Sequence, residues 1–246
     1  MIRKRRLVLL IFIAVVAAAA IALGCLLYFG MLQLNRPSEE QYPVRGVDVS
    51  AYQGEIDWPT LSKQGVHFAF IKATEGSSHV DARFARNWEQ AQKTSLRIGA
   101  YHFFSFDSAG QTQAENFIKT VPQTEGMLPP VVDLELYGEK KKNPPDKDRV
   151  LPELETMLAL LEEAYGRKPI LYATAKSYRL YLAEGFAEYD IWIRDVLRKP
   201  KLPDGRAWTF WQYTDRARLE GYQGEERYID LNVFCGTEAE FEAYGK

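Results

Sequence analysis

Pro130-Val131-Val132-Asp133-Leu134-Glu135-Leu136 reads as a short buried strand that carries two acids two residues apart. Side chains at i and i+2 of a strand share a face. Asp133 and Glu135 therefore stand side by side, roughly 6–7 Å apart by strand rise. The Val and Leu residues around them favour burial. Two carboxyls held together in partly apolar surroundings repel, so one keeps its proton near neutral pH while the other ionises. Such a pair can protonate a leaving group and stabilise a developing cation. A lone D-x-E also fits a strand with one solvated face, and the surrounding sequence decides between the two readings.

Strand and helix patterns alternate on both sides of this stretch. Arg45–Ser50 reads as a strand, Trp58–Gln64 as a short helix and Val66–Ala73 as a near-continuous apolar strand. A helical pattern over Asp81–Thr94 puts Phe84, Trp88 and Ala91 on one stripe. Ile98–Phe106 is a strand, and Ala109–Val121 a helix with Ala114, Phe117 and Ile118 facing inward. Beyond Val131–Leu136 comes a long amphipathic helix, Asp148–Tyr165, with Leu154, Leu158 and Leu161 on its apolar stripe. Then follow a strand at Pro169–Ala173, a helix at Ser177–Ala183, and strands at Asp190–Val196, Trp208–Tyr213 and Tyr228–Phe234.

Apolar strands separated by helices imply parallel strands covered by helices. Eight strands in one domain of this size fit a closed barrel better than an open sheet. The last three strands are joined by turn-rich loops rather than helices. The α/β fold expected is thus an irregular TIM-like β/α barrel with a partly antiparallel C-terminal closing section, over residues 44–246.

The amino terminus stands apart. Arg3, Lys4, Arg5 and Arg6 precede a stretch without charge from Leu7 to Asn35, apolar as far as Leu32. At about 1.5 Å per residue, Leu7–Leu32 can cross a hydrocarbon core of about 30 Å with tilt. The basic cluster before it keeps residues 1–6 cytoplasmic and puts the barrel outside. Residues 7–32 are read as a transmembrane helix and 33–43 as a linker. A cleaved signal peptide has a shorter apolar region and an A-x-A-like exit. A lipoprotein signal ending at Ala22-Leu23-Gly24-Cys25 competes as well, but apolar Leu26-Leu27-Tyr28-Phe29 follow that cysteine. An uncleaved anchor is the preferred reading.

The first 36 residues hold five basic and no acidic side chains, so the remainder carries −7 against −2 for the whole chain. A mildly acidic outer domain argues against nucleic acid as partner. Cys25 and Cys235 make no disulfide framework. His67, His79 and His102 lack metal-ligand spacing, so neither a metal nor another cofactor is expected.

In a β/α barrel, chemistry gathers at the C-terminal ends of the strands. Here those ends supply Asp48, then Tyr101 and His102, Asp133 and Glu135, Tyr172, Trp192 and Arg194, Trp211-Gln212-Tyr213, and Asp230 with Asn232. Each alone has a plain structural explanation, since aromatics fill cores and an Asp often caps a helix. Together they describe a pocket with several carboxylates and an aromatic wall. Such a wall suits a sugar, whose C–H faces stack and whose hydroxyls form hydrogen bonds. A phosphate ligand would call for a Gly-rich loop or clustered basic residues.

Six blocks carry a resemblance. Gly46-Val47-Asp48-Val49-Ser50-Ala51-Tyr52-Gln53-Gly54 with Ile56-Asp57-Trp58 resembles the opening signature of the glycoside hydrolase family 25 lysozymes, the Chalaropsis-type muramidases. It continues through Phe70–Gly76, Gly99–Phe103, Val132–Glu135, Trp211–Tyr213 and Ile229–Phe234, in the family's order. The resemblance implies an irregular β/α barrel that cleaves the β-1,4 bond between N-acetylmuramic acid and N-acetylglucosamine in peptidoglycan. Carried over by position, Glu135 is the general acid, and Asp133 stabilises the oxocarbenium-like centre or orients the substrate 2-acetamido group. Asp48 and Asp230 complete the acidic cluster. Tyr101, Tyr172, Trp192, Gln212, Trp211 and Gln53 become candidate substrate contacts. One departure stands out: after Ile191-Trp192-Ile193 the family often has a small residue and then an aromatic one, where this chain has Arg194 and Asp195.

Inverting glycosidases place their acids about 6.5–9.5 Å apart and retaining ones about 5–5.5 Å. The i, i+2 spacing straddles both. Retention assisted by the substrate acetamido group is the preferred expectation. The competing functions are a tethered peptidoglycan-binding module without catalysis, marked by loss of an acid, and a hydrolase of another N-acetylated glycan such as chitin.

Overall fold

The computed structural model describes residues 2–30, 32 and 35–246, and the side chains of all of these but Ile2 and Arg3. Met1, Met31 and the first two linker residues, Gln33 and Leu34, lie outside the described residues. Helix α1 (Ile2–Tyr28) takes in the basic cluster together with the apolar run and ends at Tyr28 rather than Leu32. An 18-residue window within Lys4–Tyr28 reaches a mean hydropathy of 3.0, long and apolar enough to cross a membrane. Its apolar side chains, Leu10 and Phe12 among them, are exposed.

The strands are β1 (Arg45–Val49), β2 (Glu55–Ile56), β3 (Phe68–Glu75), β4 (His79–Val80), β5 (Arg97–Phe103), β6 (Val131–Leu134), β7 (Ile170–Thr174), β8 (Ile191–Arg194), β9 (Phe210–Ala217), β10 (Tyr222–Gln223) and β11 (Ile229–Phe234). Between and after them lie α2 (Trp58–Ser62), α3 (Phe84–Ala91), α4 (Gly110–Thr120), α5 (Lys147–Tyr165), α6 (Ala175–Ser177) and α7 (Glu238–Ala243). Sheet order runs β1-β11-β9-β8-β7-β6-β5-β3, and a β1–β3 pairing closes the ring, with β4 as an extra strand on β3. The eight-stranded closed barrel expected from the sequence is thus the observed fold. All ring pairings are parallel except the two made by β11, which is antiparallel to both β1 and β9. The closing section is therefore antiparallel through one reversed strand.

Strand alternation separates two cores. Phe68, Phe70, Val131, Ile170, Tyr172, Trp192, Phe210 and Phe234 fill the barrel interior. Their neighbours Val47, Val49, Ala69, Ile71, Val132, Leu134, Leu171 and Ile193 face outward and meet Phe84, Trp88, Phe117, Leu154, Leu158 and Leu161. Helix α4 buries Gly110, Gln113, Ala114 and Phe117. Ile118, read as inward, lies at the edge of that stripe and is 38% exposed.

One end of the barrel is plugged. Phe241 of α7 packs on Phe68 and Phe234, with ring centroids 5.4 and 5.2 Å apart, and Arg97 donates to the Tyr244 carbonyl at 2.8 Å. Chemistry is left to the opposite end, where the parallel strands finish. Interior aromatic packing also explains Gly46: a Cβ there would fall 2.3 Å from the Phe68 ring. Gly46→Ala should cost about 2–3 kcal/mol through overpacking, measured as the change in unfolding free energy; a neutral substitution would contradict the packing described.

Candidate active site

Period-2 alternation brings the site together. On β6, Val131 and Asp133 point into the barrel while Val132 and Leu134 point out. The strand ends at Leu134, so Glu135 is the first residue beyond it, half-buried at the mouth. Asp48 comes from β1, Tyr101 from β5, Tyr172 from β7, Trp192 and Arg194 from β8, and Gln212 from β9. All of them, with Gln53 and Asp230, line one cleft of about 1160 Å³. That exceeds the roughly 300–1,000 Å³ of a small-ligand pocket and suits a segment of polymer.

Asp230 arrives by a different route. It is the second residue of β11, which runs against its neighbours, so its beginning lies level with the ends of the others. Asp230 pairs in register with Asp48. The β11–β9 ladder also slips on either side of Leu231, between Ile229 and Asn232, the kind of bulge that re-aims a side chain beside a site.

Trp211 is not brought to the cleft. It is 2% exposed on the outer face, packed against Tyr42, Trp208 and Tyr213, and its Nε1 donates to the Asp195 carbonyl at 2.8 Å. Neighbours on a strand face opposite ways, so Gln212 turns inward and Trp211 outward. Gln53 lines the cleft, but its amide is used locally: Oε1 accepts from the Ser50 N–H at 2.8 Å and Nε2 donates to the Tyr228 carbonyl at 3.3 Å.

A chain of hydrogen bonds converges on Asp48. Tyr172 donates its hydroxyl proton to Gln212 Oε1 at 2.9 Å, and Gln212 Nε2 donates to Asp48 Oδ2 at 2.9 Å. From the other side Trp192 Nε1 donates to Asn232 Oδ1 at 2.8 Å, and Asn232 Nδ2 donates to Asp48 Oδ2 at 2.7 Å. These donors favour a charged Asp48, and burial opposes them strongly enough to hold its carboxyl above the usual range. Asp230 is pushed up further, by burial and then by the charge of Asp48.

The central pair follows the same physics. Burial, then the neighbouring Glu135, drives Asp133 well above the ordinary carboxylate range. Glu135 is raised by burial, with the Arg194 and Lys141 charges pulling it back. Asp133 Oδ1 is buried with no hydrogen-bond partner among the described residues. Burial thus favours the protonated form at all four carboxyls, and one buried acceptor atom of Asp133 is left without a partner among the described residues.

The family model for Glycosyl hydrolases family 25 matches residues 47–222, from within β1 to the start of β10. The chain belongs to glycosyl hydrolase family 25. A family 25 glycosyl hydrolase structure from Bacillus anthracis superposes with a TM-score of 0.82 at 57% identity, covering 86% of this chain and 97% of that one. Protein YegX of Escherichia coli K12 is 38% identical over 208 residues, 82% of this chain and 74% of that protein. Lysozyme M1 of Streptomyces globisporus is 30% identical over 212 residues, 80% and 69% respectively.

As a glycoside hydrolase, the enzyme has a cleft richer in charge than the strand ends alone predict. Lys72, Lys141, Lys176, Arg216 and Arg227 also line it. Lys72 was legible, because Phe68, Phe70 and Lys72 alternate onto one face of β3. Lys141 and Lys176 sit beyond strand ends, where no period exists to read. Arg216 guanidinium stacks over Tyr28 and Tyr228, 5.1 and 5.8 Å from the ring centroids, so the end of α1 meets the cleft rim.

His102, although beside Tyr101, faces away from the cleft. Thr74 Oγ1 lies 2.7 Å from its Nδ1 and Gln113 Oε1 3.1 Å from its Nε2. Gln113 Oε1 also accepts from the Ser105 N–H at 2.7 Å, so Oε1 is an acceptor and Nε2 carries the imidazole proton. Burial lowers His102 from 6.5 to about 4. The folded protein thus disfavours the charged ring, and this contribution to stability is complete above pH 6.5 and is lost as pH falls toward 4. The loss amounts to about 3 kcal/mol. Denaturant unfolding of wild type and His102→Gln should show their stability difference shrinking over that interval; a difference independent of pH would contradict it.

Proposed function

We propose that this enzyme is a peptidoglycan hydrolase that cleaves the β-1,4 bond after N-acetylmuramic acid, with Glu135 as general acid. The observation that carries the reading is the convergence of Glu135 and Asp133 with Asp48 and Asp230 in one polymer-sized cleft. The relative from Streptomyces globisporus is named a lysozyme, which supports the same substrate. All four acids are retained, which disfavours a binding module without catalysis.

In this reading the glycosidic oxygen takes its proton from Glu135, whose raised affinity for it follows from burial. Asp133 Oδ1, buried and unpartnered among the described residues, is the acceptor for the N–H of the substrate 2-acetamido group. That contact stabilises ionised Asp133, so binding moves the pair's proton toward Glu135. The acetamido oxygen then attacks the anomeric carbon as the leaving group departs, and water opens the resulting ring with net retention. Asp48, fixed by Gln212 and Asn232, holds Asp230 and the floor of the cleft in place.

Helix α1 is read as an uncleaved membrane anchor with a cytoplasmic N-terminus, in preference to a lipid anchor at Cys25. It keeps the barrel on the outer face, within linker reach of the cell's own wall. Remodelling of that wall fits a tether better than attack at a distance.

Glu135→Gln should lower turnover of purified peptidoglycan by several orders of magnitude with unfolding unchanged, and near-wild-type activity would sink the acid assignment. A thiazoline mimic of the cyclised acetamido group should inhibit strongly, whereas a glycosyl ester trapped on Asp133 would refute the assisted route. Arg194→Gln removes a cation that weakens Glu135's hold on its proton. The alkaline limb of the pH–rate profile should therefore move to higher pH, and a shift the other way would contradict this electrostatic role.

A further inference from the structure

The floor of the cleft is acidic, yet one side of its rim is basic. Lys141 closes the 3-10 turn Gly138–Lys141 after β6, Lys176 lies in α6 after β7, and Arg194 ends β8. They occupy three consecutive sectors of the barrel and line the same cleft. Most cations nearby are matched: Lys72 with Glu75 at 2.8 Å, Lys140 with Asp107 at 2.5 Å, and Arg194 with Asp215 at 2.5 Å. Lys141 and Lys176 have no salt-bridge partner among the described residues.

These two side chains are not scattered. Lys176 Nζ donates to the backbone carbonyl of Lys141 at 2.5 Å, which sets its ammonium against that turn with donors to spare. Both lysines are exposed on the rim of the same cleft, two cations on a stretch, residues 37–246, whose net charge is −7. Both Lys141 and Arg194 act on the charge of Glu135, so the rim faces the space where the scissile bond lies in the reading above. An exposed basic pair bordering a sugar cleft fits an anionic substituent of the glycan.

We propose that Lys141 and Lys176, on the same cleft as Arg194, form a carboxylate-binding subsite that takes the acidic groups carried on the lactyl ether of a muramic acid residue. The inference rests on the peptidoglycan reading and deepens it. Muramic acid bears a lactyl carboxyl, either free or extended by a peptide with carboxylates of its own, while glucosamine bears none. The rim thereby separates a muramic acid glycan from chitin by charge, a distinction the acidic floor and aromatic walls do not make. Flexible ammonium groups suit this task, since a lysine meets a carboxylate as a mobile point charge.

The test uses the full-length chain in detergent, carrying Glu135→Gln to block turnover, with and without Lys141→Gln and Lys176→Gln together. Binding is measured to a muramic acid tetrasaccharide in three forms: with free-carboxylate peptide stems, with those carboxylates amidated, and with the stems removed to leave lactyl carboxylates. The lysine substitutions should weaken the stemmed form about tenfold, as for two partly exposed charge-assisted contacts, and the amidated form far less. The loss should fade at high salt. Loss on the stripped form alone would assign the same subsite to the lactyl carboxylate, and Lys176→Arg should restore binding if charge is the cause. Equal losses on charged and amidated forms, or none, would overturn the proposal. If the peptidoglycan reading itself is wrong, the chain without the lysine substitutions binds none of the three forms. If only the subsite is wrong, binding persists without charge preference.

Discussion

The reversal of β11 is the constraint on which the site depends. A barrel of eight parallel strands would bring only strand ends to the mouth. Here the last strand enters from the mouth and runs down between β1 and β9. Its beginning therefore supplies Asp230 level with Asp48, and its middle supplies Asn232, which anchors Asp48 from the side opposite Gln212. Without that reversal Asp48 would lose one of its two amide donors and its carboxyl neighbour.

Burial then sets the chemistry. Asp48, Asp133 and Asp230 lie at the foot of the cleft, where desolvation raises each carboxyl, and neighbouring carboxylate charge raises Asp133 and Asp230 further. Cations at the rim act in the opposite sense, and on Glu135 the charges of Arg194 and Lys141 are the causes next to burial. Asp133 and Asp230 are pushed well above the ordinary carboxylate range, while Asp48 and Glu135 are raised against opposing partners, amide donors for the one and rim cations for the other. The proposed proton donor, Glu135, is thus a carboxyl on which burial and rim cations act in opposition.

Much of this was legible in the amino-acid sequence, and the exceptions have physical causes. Continuous apolar runs marked the barrel strands, and the paired acids were found because Asp133 alternates inward on β6. Glu135 reaches the cleft even though the strand stops before it, so the simple i, i+2 picture described its position only in part. Trp211 was placed in the cleft by its neighbour Gln212, although strict alternation sends adjacent residues to opposite faces. Asp230 could be suspected from its block but not explained, since strand direction is a property of the closed ring. The two-residue strands β2, β4 and β10 carry too little pattern to announce themselves. Lys141 and Lys176 lie in connections, where position is set by tertiary contacts such as the bond from Lys176 to the Lys141 carbonyl.

The account stands or falls on which bond is cut and with what stereochemistry. Proton NMR of defined peptidoglycan in the first moments of digestion reads both at once. New reducing ends should be muramic acid, and they should appear first as the β-anomer before mutarotation. Reducing-end glucosamine, or muramic acid released first as the α-anomer, would contradict it.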